Sequence, residues 1–124
     1  FERRAAAPHL AVTLDSQDRR GLKRVVAAMA KDPAAYPSIG ELARLARMSA
    51  SRFLLAFRKE YGTTPYGYLK NLRMNRALAL LQESDLSIGE VAARVGYGNS
   101  GHFAGLFKRA YGIGPKGYRT LHRG

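Results

Sequence analysis

The sequence predicts an all-α fold: two helix-turn-helix units joined by a long connector helix. Three observations carry this. Ser87 to Tyr118 reads as a short helix, a tight turn, a second helix and a proline-capped exit. The same pattern appears earlier, with Ser38, Ile39, Glu41, Leu42 and Ala43 matching Ser87, Ile88, Glu90, Val91 and Ala92 at an offset of 49. Between the copies, a run from Pro65 to Glu83 keeps Leu69, Leu72, Ala77, Leu80 and Leu81 at helix-compatible spacing.

Taken in order, residues 1–14 (FERRAAAPHLAVTL) lack clean periodicity and read as a linker or basic arm. Such an arm could enter a minor groove; the other reading is the remainder of an interdomain linker. The start at Phe1 rather than Met leads us to expect a longer parent protein. Residues 15–62 form the first subdomain. Asp15 caps a helix to about Lys31, with Leu22, Val25, Val26 and Met29 on one face. Asp32-Pro33 stops it, because a residue before proline avoids the α region. Ser38 to Ala46 is the first helix of unit one and Ser49 to Tyr61 its second. Residues 63–84 are the connector, with Thr64 as cap and Pro65 at the first helical position. Its nineteen residues from Pro65 to Glu83 span on the order of 28 Å at ~1.5 Å per residue. Successive major grooves on one face of B-DNA lie ~34 Å apart, so this spacer suits two readers in adjacent groove turns.

Residues 85–124 form the second subdomain. Ser87-x-x-Glu90 is a capping box: the hydroxyl accepts from a free backbone N–H and the carboxylate reaches back to the cap. Ile88, Val91, Ala92 and Val95 make an apolar face. Gly96 ends the helix at a position that needs φ > 0. Asn99 or Ser100 caps the second helix, whose inward stripe is Phe103, Leu106, Phe107 and Tyr111. Beyond the turn the repeat offset becomes 50: Phe53, Phe57, Tyr61, Gly62, Pro65, Gly67 and Tyr68 match Phe103, Phe107, Tyr111, Gly112, Pro115, Gly117 and Tyr118. The second turn has gained one residue. Arg47 occupies the place of Gly96, where a left-handed conformation would cost an arginine about 1 kcal/mol.

Composition narrows the function. Lys+Arg 21 against Asp+Glu 9 gives a net charge of +12 in 124 residues, which points to a polyanionic partner. With no cysteine there is no disulfide framework and no thiolate metal site. No apolar run approaches the ~18 residues of a membrane span, and no signal peptide is visible. His9, His102 and His122 share no metal-ligand spacing with another His, Asp or Glu, so neither metal nor other cofactor is expected. No Ser/His/Asp arrangement or phosphate-binding glycine loop stands out, so we expect no enzyme activity.

The second unit also carries Gly96, Tyr97, Asn99, Ser100, His102, Phe103, Phe107, Lys108, Arg109, Tyr111, Gly112, Pro115, Tyr118 and Arg119. That run resembles the signature of the AraC/XylS family of bacterial transcription regulators. In the first unit and connector, Phe53, Phe57, Gly62, Pro65, Tyr68, Leu69, Arg73 and Ala77 fall where that family has them. The resemblance covers Ser38 to Leu121. It implies a DNA-binding domain of about seven helices, sequence-specific binding to double-stranded promoter DNA, and contact with RNA polymerase. It further implies an upstream effector-binding domain and a cytoplasmic, nucleoid-associated location.

Helical geometry picks the contact residues. With Phe53 and Phe57 inward, Ser51, Leu55 and Arg58 point outward, flanked by Arg52 and Lys59. In the second reader Gly101, Gly105 and Lys108 point outward, flanked by His102 and Arg109. Outward N-terminal residues reach base edges, so the base-reading candidates are Ser51, Arg52, Leu55, Asn99, Ser100, Gly101, His102 and Gly105. The phosphate candidates are Arg58, Lys59, Thr64, Lys108, Arg109 and Arg119. Many members of the similar family carry arginine, the usual reader of guanine, where this chain has Leu55 and Gly105. Leu55 suits a thymine methyl, whereas Gly105 reads nothing. Unit two is therefore expected to supply mainly shape and backbone affinity. The competing functional class is a nucleic-acid binder without sequence preference, architectural or RNA-binding. The reading module of a larger enzyme and a protein–protein module stand further off, the latter because it leaves +12 unexplained.

Overall fold

A computed structural model describes residues 12–123 of the chain. They form seven helices: α1 (Ser16–Lys31), α2 (Ile39–Ala46), α3 (Ala50–Tyr61), α4 (Pro65–Glu83), α5 (Ile88–Arg94), α6 (Ser100–Tyr111) and α7 (Pro115–Arg123). There is no strand among the described residues. Most of the arm expected over 1–14 lies outside them; of the rest, Leu14 is buried.

The helix starts follow local chemistry. Ser38 with Glu41, and Ser87 with Glu90, each form the full reciprocal capping box, at 2.8 and 3.1 Å in both copies. Asp15 and Asp18 make an equivalent box at α1. Ser49 and Asn99 cap α3 and α6, and the Thr64 hydroxyl accepts from the Gly67 N–H at 3.0 Å ahead of α4.

Both inter-helix turns close with the same pair of hydrogen bonds. Met48 N–H donates to Ala43 O and Arg47 N–H to Arg44 O; Tyr97 N–H donates to Ala92 O and Gly96 N–H to Ala93 O. This is the Schellman arrangement, which requires a left-handed residue at the position after the cap. Gly96 supplies it at φ 106°, and Arg47 at φ 62° is the one non-glycine residue with positive φ among those described. The residue gained by the second unit is the Gly98 spacer between Tyr97 and the Asn99 cap.

The described residues divide into two compact units, the first comprising residues 12–32 and Pro37–Leu69, the second Pro33–Tyr36 and residues 70–123. The boundary falls inside α4. In the first unit α1 packs on α2 and α3. Leu22, Val25, Phe53, Ala56 and Phe57 have no exposed surface. The approach of α1 to α2 is close enough that a Cβ on Gly21 would meet the Ala46 carbonyl oxygen at 2.3 Å, so only glycine fits. The sequence pattern did not single out this glycine. Arg24 Nε donates to Leu45 O at 2.9 Å across the same pair of helices.

In the second unit, Met74, Ala77 and Leu81 of α4 pack with Val91, Ala92 and Val95 and with Phe103 and Phe107 of α6. The aromatic cluster repeats between units. Phe57 lies 4.7 Å from Tyr61 and 5.6 Å from Tyr68; Phe107 lies 4.8 Å from Tyr111 and 5.7 Å from Tyr118. Such edge and tilted contacts favour ring packing beyond buried area alone. Each cluster fixes a reader helix from behind and leaves its opposite face outward.

Arg73 is the buried charge of the second unit. Its Nε donates to Pro33 O at 2.7 Å and its Nη2 to Ala35 O at 3.0 Å, and the guanidinium carbon sits 5.4 and 5.1 Å from the Tyr36 and Tyr97 ring centroids. A buried guanidinium is tolerated because carbonyl oxygens and ring faces replace its water.

Candidate nucleic-acid interface

The two reader helices present corresponding faces. On α3, Ser51, Arg52, Arg58 and Lys59 are exposed while Phe53, Ala56 and Phe57 are buried. On α6, Ser100, Gly101, His102, Gly105, Lys108 and Arg109 are exposed above buried Phe103 and Phe107. The basic pairs Arg58-Lys59 and Lys108-Arg109 occupy the last turns of their helices. There they also complement the negative end of the helix dipole.

Several candidates are already engaged. The Arg52 guanidinium lies against the start of α1, donating to the Asp18 carboxylate at 2.7 Å and to Thr13 O at 3.2 Å. The Asp15 backbone N–H and the same guanidinium hold the Asp18 carboxyl below its ordinary range. Asn99 spends its Oδ1 on the His102 backbone N–H at 2.8 Å, and Thr64 its oxygen on Gly67. Leu55 is half-buried, while its neighbour Leu54 is the more exposed leucine at 40 %.

Arg119, expected at a phosphate, has its guanidinium engaged within the chain. Its Nε, Nη1 and Nη2 donate to Leu81 O at 3.0 Å, Leu86 O at 2.6 Å and Ser84 O at 3.2 Å. All three belong to the end of α4 and the segment leading into α5, where carbonyls have no helical partner. Arg119 is a half-buried clamp on that segment, and Arg123 adds a bond to Ser84 O and an ion pair with Asp85. In the second unit Arg73 does the same for the carbonyls of residues 33–35. The sequence carried no signal for either role, since each arginine reaches carbonyls 33 to 40 residues away.

Gly105 has open space around it, with nothing within 4 Å of a Cβ placed there, whereas at Gly101 a Cβ would stand 3.2 Å from Asn99 Oδ1. The outward face of α6 thus has no side chain at Gly101 and Gly105, which leaves the Ser100 hydroxyl and the His102 ring on it. That ring lies edge-on to Tyr97, with centroids 5.9 Å apart. Among the described residues, no group of His, Asp or Glu could hold a metal ion, and no helix is long and apolar enough to cross a membrane.

Two capped helix-turn-helix units with outward, cation-flanked second helices define a tandem helix-turn-helix protein. A family model described as a helix-turn-helix domain matches residues 42–121. The chain belongs to that family, in its AraC-type branch of transcription-regulator DNA-binding domains. An uncharacterized HTH-type transcriptional regulator of Haemophilus influenzae is 35 % identical over 103 residues, which is 83 % of this chain and 34 % of the relative. The activator RhaS of Salmonella arizonae is 45 % identical over 58 residues, covering 47 % of this chain and 21 % of RhaS. The chain thus spans about a third or less of the length of the curated relatives it matches. Among solved structures, the DNA-binding domain of the global transcriptional factor AdpA, crystallised with a target DNA, superposes with a TM-score of 0.78 at 34 % identity. That match covers 83 % of this chain and 93 % of the other.

Proposed function

We propose that this chain binds promoter DNA sequence-specifically, laying α3 and α6 in major grooves, as part of a bacterial transcription regulator without enzymatic activity. The observation that carries the reading is the duplication itself: two readers, each capped, braced by the same aromatic cluster and flanked by an outward basic pair. That the similar AdpA domain was solved on a target DNA supports it. A net charge of +12 supplies the phosphate attraction such binding needs.

Within the reading, unit one carries most of the base recognition, through Ser51 and Leu55, because Arg52 is held by Asp18. Arg58, Lys59, Lys108 and Arg109 contact phosphates. Unit two presents glycines where side chains would read bases, and its part is backbone affinity. The full-length protein joins this domain to an effector-binding one, meets RNA polymerase at the promoter and works on the nucleoid in the cytoplasm.

Selection from a random ~30-bp duplex library at near-physiological salt tests this, because low salt would let phosphate attraction mask base preference. The expected result is one motif with a strong block and a weaker one about a helical turn away. Tight, salt-sensitive binding with no enriched motif would overturn it in favour of a binder without sequence preference.

A further inference from the structure

Between α4 and α6 of the second unit lies an open cavity of about 290 Å³, lined by Lys70, Asn71 and Met74 of α4 and by Leu106, Arg109 and Ala110 of α6. We infer that this cavity is a seat for a DNA backbone phosphate, which makes α4 part of the nucleic-acid interface of the second unit. The inference rests on the DNA-binding reading above and adds to it a site and two residues, Lys70 and Asn71, that the helix-face argument did not select.

Three observations converge. First, the lining holds two cations and a side-chain amide, and neither Lys70 nor Arg109 is paired with a carboxylate among the described residues. Two positive charges left uncompensated beside one cavity favour an anion there. Second, Arg109 lies on the flank of α6 between the outward face of Gly105 and the cavity. A strand bordering the groove that holds α6 would pass that flank. Third, the corresponding place in the first unit is neutralised. At the repeat offset of 50, Ala110 and Arg109 correspond to Glu60 and Lys59. The Glu60 carboxylate lies 3.6 Å from Arg19 Nε. The acidic residue that pairs with Arg19 in unit one is replaced in unit two by a methyl group. The unit with the bare reading face is the one in which the two cations lining the cavity, Lys70 and Arg109, have no carboxylate partner among the described residues.

The chemistry suits a phosphodiester. Lys70 offers a point charge, Arg109 a planar fork, and Asn71 an N–H₂ donor to a phosphate oxygen. The room left over admits bridging water, a common companion of phosphate contacts.

The test measures the affinity of the 124-residue chain for its selected duplex from low to physiological salt, for wild type, Lys70→Gln, the Lys70→Gln/Arg109→Gln pair, and Ala110→Glu. Each lost phosphate contact lowers the slope of log K against log salt by about 0.9. The expected result is a smaller slope for Lys70→Gln and a fall of about 0.9 for the pair, as the one phosphate contact is lost, with an unchanged enriched motif. Ala110→Glu, which restores the acid found in unit one, is expected to act like the pair. Circular dichroism confirms folding of each exposed-site variant. An unchanged slope for Lys70→Gln and Ala110→Glu overturns the seat. So does a change of base preference, which would make these residues readers. If wild type itself enriches no motif, the promoter-specific function fails, while the slopes still decide the seat.

Discussion

Gly96 leaves the space that the Arg73 guanidinium fills. A Cβ at Gly96 would stand 2.9 Å from the Arg73 guanidinium carbon and 3.0 Å from Ala34 Cα. The glycine is therefore required twice, for its φ of 106° and for its missing side chain. Gly96→Ala is expected to destabilise the second unit by about 2–3 kcal/mol, adding steric displacement to the ~1–2 kcal/mol of the backbone conformation. Chemical denaturation checks this. Arg47 holds the matching turn in unit one at φ 62° without such crowding, so Arg47→Gly is expected to stabilise by up to ~1 kcal/mol. The gain is limited by the greater freedom glycine gives the unfolded chain.

Gly105 sits in the exposed middle of α6 with nothing near it. Gly105→Ala is expected to raise stability by about 0.5–1 kcal/mol through helix propensity alone. Thermal melting measures that gain, and a filter-binding titration on the same variant reports how closely the α6 backbone approaches DNA. Weaker binding by a more stable protein would locate the helix against the phosphates.

The Glu90 carboxyl is held below its ordinary value of 4.5, first by the Ser87 backbone N–H and then by the Ser87 hydroxyl. A carboxyl whose pKa is lower in the folded chain stabilises fully above the unfolded value, and that contribution is lost as pH falls through the folded one. Stability should therefore decline below about pH 4.5. In Glu90→Gln the decline should be shallower but still present, because Asp18 and Asp85 are also lowered, the latter by its hydrogen bond from Arg123. Melting temperatures between neutral pH and pH 3 would show it.

Arg119→Gln removes a guanidinium that satisfies three carbonyls at once. A loss of about 3 kcal/mol is expected, since charged hydrogen bonds contribute ~1.5–3 kcal/mol each and are not additive. Arg119→Lys should recover little of it, because an ammonium cannot reproduce the fork. If the residual folded protein keeps the wild-type salt slope on DNA, Arg119 is a clamp and not a phosphate ligand.

The elements legible from sequence are those whose causes are local. Ser38-Glu41, Ser87-Glu90, Asp15 and the Phe53/Phe57 and Phe103/Phe107 pairs act within a turn or two, so spacing alone reveals them. The destinations of Arg52, Arg73 and Arg119 were not legible. A guanidinium reaches its acceptors through tertiary approach, and a net charge of +12 does not tell a structural cation from an interfacial one. Gly21 was hidden for the same reason, since its requirement comes from the Ala46 carbonyl of another helix. The outward readers of α6 could be placed from the sequence because helix periodicity is enough for that. The half-burial of Leu55 beside the more exposed Leu54 could not.

The second unit is assembled from two separated stretches, with Pro33–Tyr36 joining the residues that begin at Lys70. This matters for anyone wishing to exchange reading heads between regulators. A splice made inside α4 would transplant Arg73 without the carbonyls of Pro33 and Ala35 that accept its hydrogen bonds, and a hybrid joined there would carry a stranded guanidinium. A workable graft has to move a four-residue piece of the α1–α2 link together with everything downstream, so the natural unit of inheritance for the second head is discontinuous along the gene.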